Sequence, residues 1–427
     1  MKKRIISLIL SAVLILGCLF SMSSCLGLFG FYTSDSSQGN GQDGNNSGGG
    51  GGVINENADI PKTEYYPSIG GDDITPEFIS ESSRAILSVV SVYSTFEISY
   101  GYPSYSTESS TARGSGVIYK LDRENGNAYV ITNYHVVYST GTTSSDGISK
   151  DIRLFLYGQE ADQYAIPATY VGGSMAQDLA VLKVEGSEVL KRSQALPAAV
   201  TDSDKVSVLD TVIAIGNPEG LGISATNGII SVESEALAMI GADGRTAIQP
   251  RVMRVSAAIN DGNSGGGLFN AKGELIGIVN AKRNGNYVDN IAYAIPSNVA
   301  TRLADNIILY CDGSTNTAAK KAMIGIVMQA NVMGVTIDAE TGKVVRAEIV
   351  EIKEISSICT IPEKFAIGDR INSITIDGLT IPVTRVYHVV DSMLLARVGS
   401  VVTVNLTRGA ETFDVTVTIT EDMFSNV

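Results

Sequence analysis

Residues 259–270 read INDGNSGGGLFN: a lone serine, Ser264, set among glycines and followed by an apolar run. Glycine permits backbone conformations closed to other residues and lets a chain approach its neighbours closely. The stretch therefore fits either a nucleophile held in a tight turn or a polar residue in a glycine loop. G-x-S-x-G alone does not choose between them, so the remainder of the 427 residues must.

A serine hydroxyl is a poor nucleophile until a base takes its proton, and that base is usually a histidine oriented by a carboxylate. The chain has two histidines. His135 lies near the end of AYVITNYHVV, where a strand gives way to a loop. Asp178 opens DLAVLKV, an apolar strand. Taken singly, His135 fits a core histidine and Asp178 a turn cap, but together the order His135, Asp178, Ser264 is that of chymotrypsin-type proteases. α/β-Hydrolases also use G-x-S-x-G, yet there a helix follows the serine and the histidine comes later in the chain. Here GGGLFNAKGELIGIVN follows, rich in glycine and then strand-like, and the later His388 falls on a helical stretch of a second module, where it reads as structural or groove-lining.

Around these three residues short β-rich runs recur from Val89 to Pro296, separated by turn residues, as in a sandwich or barrel. They include SVVSVYS, GSGVIYK, NAYVITN, DIRLFLY, AIPATYV, TVIAIGNP, NGIISVES and IAYAIP. Thr75–Ser91 has a helical spacing, and SNVATRLADNIILYCDG reads as a helix begun by Ser297. The expectation is a mainly β protein.

The ordered motifs TNYHVV, DLAVLKV, IGNPEGL, NGIIS, INDGNSGG and AYAIP resemble the HtrA (DegP-like) family of trypsin-fold serine proteases. The resemblance implies a chymotrypsin/trypsin-like double β-barrel over 75–315. His135 would be general base, Asp178 its orienter and Ser264 the nucleophile. The backbone N–H groups of Gly262 and Ser264 would form the oxyanion hole. The trypsin spacing carries the S1 pocket to Ala258 and Ile259, an apolar floor suited to aliphatic side chains. Gly267, Asp261 and Ser256 depart from the common family residues without touching the triad, and the insertion YSTGTTSSDGISKD follows His135 without an assigned role.

Residues 322–422 form a second module that resembles a PDZ domain. MIGIV stands where that family has its carboxylate-binding loop, so the N–H groups of Ile324, Gly325 and Ile326 would take a peptide C-terminus. FAIGDRINSITIDG matches its GD-x-I region, and TRVYHVVDSMLLARVG reads as a helix with Val386, Val389, Val390, Met393 and Leu394 on one face.

The N-terminus has a basic start, an apolar run from Ile5 to Phe20 and small residues before a cysteine, which reads as an export signal over 1–24, with an uncleaved anchor as the alternative. MSSC resembles a lipobox, making Cys25 the lipid-bearing residue; Cys18 is a weaker competitor. Residues 25–74 are largely a polar Gly/Ser/Asn tether, with an r.m.s. span of about 30 Å over roughly 30 residues. If Cys18 leaves and Cys25 is acylated, Cys311 and Cys359 remain, and their pairing is open.

The formal charge of −14 without a basic stripe argues against nucleic acid. With so few Cys and His, no metal or other cofactor is expected. The resulting expectation is a lipid-anchored cell-envelope endopeptidase acting on unfolded or damaged proteins, and the resemblance implies a homo-trimer. The alternative is an envelope peptide-binding scaffold or chaperone with a largely silent protease site.

Overall fold

The computed structural model describes residues 82–100, 106–280, 291–311, 317–337 and 342–426. The expected leader, Cys25, the tether and the helical spacing before residue 82 lie outside the described residues. Ser82–Ser88 is helical, and Val89 already opens the first strand.

Strands β1 (Val89–Tyr100), β2 (Ser106–Asp122), β3 (Asn127–Thr132), β4 (Asp151–Leu156), β5 (Ile166–Ser174) and β6 (Leu179–Val184) pair in the order β5-β4-β1-β2-β3-β6. Strand β6 then returns to β5 and closes a six-stranded barrel. Two short helices, α1 (Tyr134–Val137) and α2 (Glu188–Arg192), lie in its connections.

A second six-stranded barrel closes in the order β11-β14-β13-β12-β7-β8. Its strands are β7 (Thr211–Gly216), β8 (Ser224–Ala236), β11 (Arg251–Val255), β12 (Gly267–Asn270), β13 (Leu275–Asn280) and β14 (Ala292–Pro296). The hairpin of β9 (Met239–Ile240) and β10 (Ala247–Ile248) is set between β8 and β11. The double barrel expected from the sequence is the fold found.

Why two barrels pack as one body is written in the strands. Successive side chains of a strand point to opposite faces. In β6, Ala180, Leu182 and Val184 fill the first barrel, while Leu179 and Val181 face a separate cluster shared by both barrels. In β7, Val212 and Ala214 fill the second barrel, while Ile213 and Ile215 turn to that same shared cluster. Phe269, fully buried, sits there too. A strand buried on both faces is apolar throughout, which explains why DLAVLKV and TVIAIG carry so few charges.

Helix α3 (Ser297–Tyr310) packs on β13 and β5, with Val299, Ala300, Leu303, Ala304 and Ile307 on its buried face. Each Val, Leu or Ile so buried contributes about 1.5–3 kcal/mol. Ser297 does not cap it: Pro296 holds the cap position, and the Ser297 hydroxyl donates to the Thr201 carbonyl at 2.9 Å.

Beyond α3, β15 (Thr317–Ala318) adds to β5 in parallel at Gly172 and Gly173. A Cβ at Gly172 would lie 2.0 Å from the Thr317 carbonyl oxygen, so only glycine admits this strand. Strand β16 (Lys320–Ala322) then pairs with β23 (Phe424–Asn426). The last sheet runs β17-β18-β19-β21-β22, from β17 (Ile326–Ile337), β18 (Val344–Ile355), β19 (Arg370–Ile376), β21 (Val401–Arg408) and β22 (Glu411–Thr418), with β20 (Leu379–Pro382) paired to β19. Helix α4 (Val386–Ser392) packs against it, burying Val389. Met393 and Leu394 are buried as the spacing predicts, but Val390 is 37% exposed.

Charged side chains tie α4 to the second barrel. Arg251 of β11 bonds Asp204 at 2.7 Å and Asp391 at 2.5 Å, and its guanidinium lies 3.4 Å from the Tyr387 ring centre. Arg385 bridges Glu233 of β8 and Glu348 of β18. Burial pushes the Asp391 carboxyl up, against the pull of Arg251.

Candidate active site at the barrel interface

His135 is carried by α1, the single helical turn that follows β3. Its Nδ1 lies 2.7 Å from Asp178 Oδ2, and its backbone N–H donates to Asp178 Oδ1 at 3.0 Å. Asp178 is 2% exposed and stands just before β6 with a φ of 50°, a left-handed conformation that aspartate tolerates better than most residues. The segment ahead of His135 holds it there: Asn133 Nδ2 and the Tyr134 N–H both donate to the Asp178 carbonyl, at 2.8 and 3.2 Å. Asn280, at the end of β13, adds a donor to Asp178 Oδ2 at 3.1 Å. One carboxylate thus ties the first barrel to the second.

Ser264 lies in the loop between β11 and β12 and is 5% exposed. Its carbonyl accepts the Ser115 N–H of β2 at 2.8 Å. The following Gly265, at φ 85°, is packed so closely that a Cβ would meet the Ser115 carbonyl oxygen at 2.1 Å and the Asn133 nitrogen at 3.1 Å. Only glycine fits both the conformation and the space, and the fit brings the serine turn against the segment that bears His135. Gly262, at φ 94°, forms the turn before it.

Ala258 is exposed, and its carbonyl accepts the Thr226 hydroxyl at 2.8 Å. Ile259 is 7% exposed and packs into the second-barrel core with Met253 and Ile230. The insertion after His135 folds back on β1: Thr143 donates to the Glu97 carbonyl, and Tyr138 stacks near Tyr134.

Ile324, Gly325 and Ile326 come together on a groove of about 310 Å³ between β17 and α4. Met328, Val389, Met393 and Lys321 also line it. The Gly325 carbonyl is taken by the Ser356 N–H at 2.8 Å, whereas the N–H groups of Ile324 and Gly325 donate to nothing among the described residues. His388 does not line the groove. It accepts the Thr384 N–H at 3.3 Å and sits edge-on to Tyr387, and burial, with Arg251 nearby, holds its pKa below the ordinary value. Among the described residues no cluster of three or more His, Cys, Asp or Glu side chains could hold a metal, and no helix is long and apolar enough to cross a membrane.

Sequence reading missed Asn280, Asn133 and Ser115. Each is a short polar residue inside a motif, but what it bonds lies far along the chain.

Residues 114–278 match the family model of the trypsin-like peptidase domain. This span is therefore a trypsin-fold peptidase domain. Within that class the chain is similar to serine proteases of the HtrA family. The chain is 36% identical over 239 residues to the serine protease Do-like HtrA of Bacillus subtilis, covering 56% of this chain and 47% of that one. It is also 36% identical over 203 residues to a probable periplasmic serine endoprotease, DegP-like, of Brucella suis, covering 47% of this chain and 34% of that one. The chain spans about half or less of the length of these curated relatives. The solved HtrA-type protease AlgW with tripeptide shares the fold, with a TM-score of 0.50 at 24% identity over 80% of this chain and 96% of that one.

Proposed function

We propose that the chain is an exported serine endopeptidase that cleaves unfolded or damaged proteins of the cell envelope. The observation that carries this reading is the His135–Asp178 pair at 2.7 Å, set against a glycine turn that presents Ser264. A carboxylate only accepts, so the Asp178 bond puts the proton of His135 on Nδ1 and leaves Nε2 as the base. Nε2 takes the Ser264 proton as Oγ attacks the scissile carbonyl, and returns it to the leaving amine. The imidazolium formed between these steps is stabilised by Asp178, itself held by Asn280. The Gly262 and Ser264 N–H groups receive the charge that develops on the carbonyl oxygen, the kind of interaction that usually contributes most. Ala258 near the pocket floor offers no charge to Arg or Lys, so cuts follow aliphatic residues.

The groove beside β17 is read as the peptide site of a PDZ domain at 322–422. An extended peptide adds to the β17 edge, its terminal carboxylate meets the unpartnered N–H groups of Ile324 and Gly325, and its last side chain enters the apolar groove. Export, a lipid on Cys25 and assembly as a trimer complete the reading; the names of the Bacillus and Brucella relatives support the protease part and the envelope location. Degradation of casein by the wild type, lost in Ser264→Ala with peptide binding retained, tests the proposal. Equal degradation by the variant would overturn it, and binding without degradation by the wild type would favour a scaffold.

A further inference from the structure

We infer that Ser115 is a positioning residue for the oxyanion-binding turn, holding it open from the opposite barrel. The inference rests on the serine-protease reading and deepens it. Asn260 to Asn263 form a turn closed by the Asn263 N–H on the Asn260 carbonyl at 3.1 Å, with Gly262 third in the turn at φ 94°. That is a type II turn, and in the commoner type I turn its central peptide, Asp261–Gly262, is turned over. Which way this peptide faces decides whether the site offers an N–H donor or a carbonyl acceptor to an incoming oxyanion.

Two bonds fix the choice. The Glu219 N–H donates to the Asp261 carbonyl at 2.8 Å. Because C=O and N–H of a trans peptide point in opposite directions, the Gly262 N–H must face away from the 217–220 loop. Among the described residues it donates to nothing. Glu219 makes this bond from a left-handed conformation, φ 55°, which is strained for a residue with a side chain. On the other side of Gly262, the Ser115 hydroxyl donates to the Gly262 carbonyl at 2.7 Å while accepting the Asn217 N–H at 2.8 Å. Ser115 is fully buried, and its hydroxyl has one donor and one acceptor partner, so its rotamer is set. A single oxygen from β2 of the first barrel thereby clamps two loops of the second. A Cβ at Gly262 would meet the Asn217 carbonyl oxygen at 2.3 Å, so the turn has no room to drift toward that loop.

Removing the hydroxyl frees the Gly262 carbonyl and the Asn217 N–H together, and the turn loses its fixed orientation while the rest of the site stays in place. The experiment measures wild type and Ser115→Ala on a chromogenic aliphatic peptide substrate, together with binding of a peptide boronate, which mimics the tetrahedral state, and of the product peptide. Expected is a fall in kcat of roughly 10- to 100-fold, the range set by partial loss of one oxyanion donor, with KM within about twofold. Boronate affinity falls in step with kcat, and product affinity does not. A kcat within twofold of wild type, or equal losses for boronate and product, overturns the inference. Should Ser115→Ala not fold, Ser115→Cys keeps a weaker donor at the same place, and its kcat must fall with KM held. A wild type that neither cleaves the peptide nor is labelled at Ser264 by a fluorophosphonate overturns the protease reading, and this inference with it.

Discussion

The barrel interface and the groove beside β17 are built on opposite plans. At the interface Asp178 and Ser115 take hydrogen bonds drawn from both barrels, and two glycines stand where no side chain fits. The groove is lined mostly by Ile, Met and Val, with Lys321 and Ser356 as its polar side chains. The difference matches the two kinds of work proposed for these regions. Bond making requires dipoles already aimed when charge develops, so one displaced donor is felt at once. Taking up a peptide end requires apolar area and a few backbone donors, and apolar walls accept side chains of several sizes.

The contrast can be broken where it is sharpest. Ser264→Ala and His135→Ala should each lower peptide hydrolysis by about 10⁴-fold or more while leaving groove binding unchanged, because nucleophile and base act as a unit. Peptide cleavage within tenfold of wild type in either variant would show that the interface is not where chemistry occurs. Asn280→Ala removes one donor of three from the Asp178 carboxylate and should cost about 10-fold in kcat, the worth of a hydrogen bond to a charged group. An unchanged kcat would show that the two His135 bonds suffice.

In the groove, Met393→Ala should weaken binding of an apolar-ended peptide by about 3- to 10-fold, as loss of contact with one or two buried methylenes would. Hydrolysis of a short chromogenic substrate should hold within twofold, and calorimetric titration beside a rate assay separates the two. A hydrolysis loss equal to the binding loss would merge the two regions into one site.

The smallest effect concerns the face of α4 turned from the groove, where His388 meets Arg251, Arg385 and Asp204. Its folded pKa lies below the ordinary value of about 6.5, so its contribution to stability is full above that pH and is lost as pH falls toward the folded value. Asp391, with its pKa raised, works the other way at lower pH, which is why the comparison must be internal. Melting temperatures of wild type and His388→Gln at pH 7.5 and 5.5 should show the wild type losing a few degrees more on acidification. Parallel curves would refute the assignment.

Sequence reading reached the barrels through recurring β-rich runs between turn residues, and β7 shows why such a run carries no alternation: Val212, Ile213, Ala214 and Ile215 are all apolar because the strand has a core on each face. It proposed His135, Asp178 and Ser264 through motif and order, and the structure sets His135 Nδ1 2.7 Å from Asp178. Ser115 was out of reach, since its acceptor lies 147 residues away and the contact exists only once both barrels have closed. Ile259 was assigned to the pocket floor by spacing alone, and in the structure it packs with the second-barrel core. MIGIV was read as a binding loop, while the strand that follows it and runs to Ile337 depends on pairing with β18.

Strand β15 bears on how such chains are recombined. Thr317 and Ala318 lie outside both barrels in sequence, yet they complete the sheet of the first one, in a slot that exists because residue 172 has no side chain. The stretch joining the two folded bodies is thus not a neutral hinge at which parts of one relative can be spliced to parts of another. An exchange made directly after α3 would import a foreign strand into a slot cut for this one, whereas an exchange after Ala322 would carry slot and strand together. Gly172 and Thr317 form one inheritable unit, separated by 145 positions of unrelated sequence.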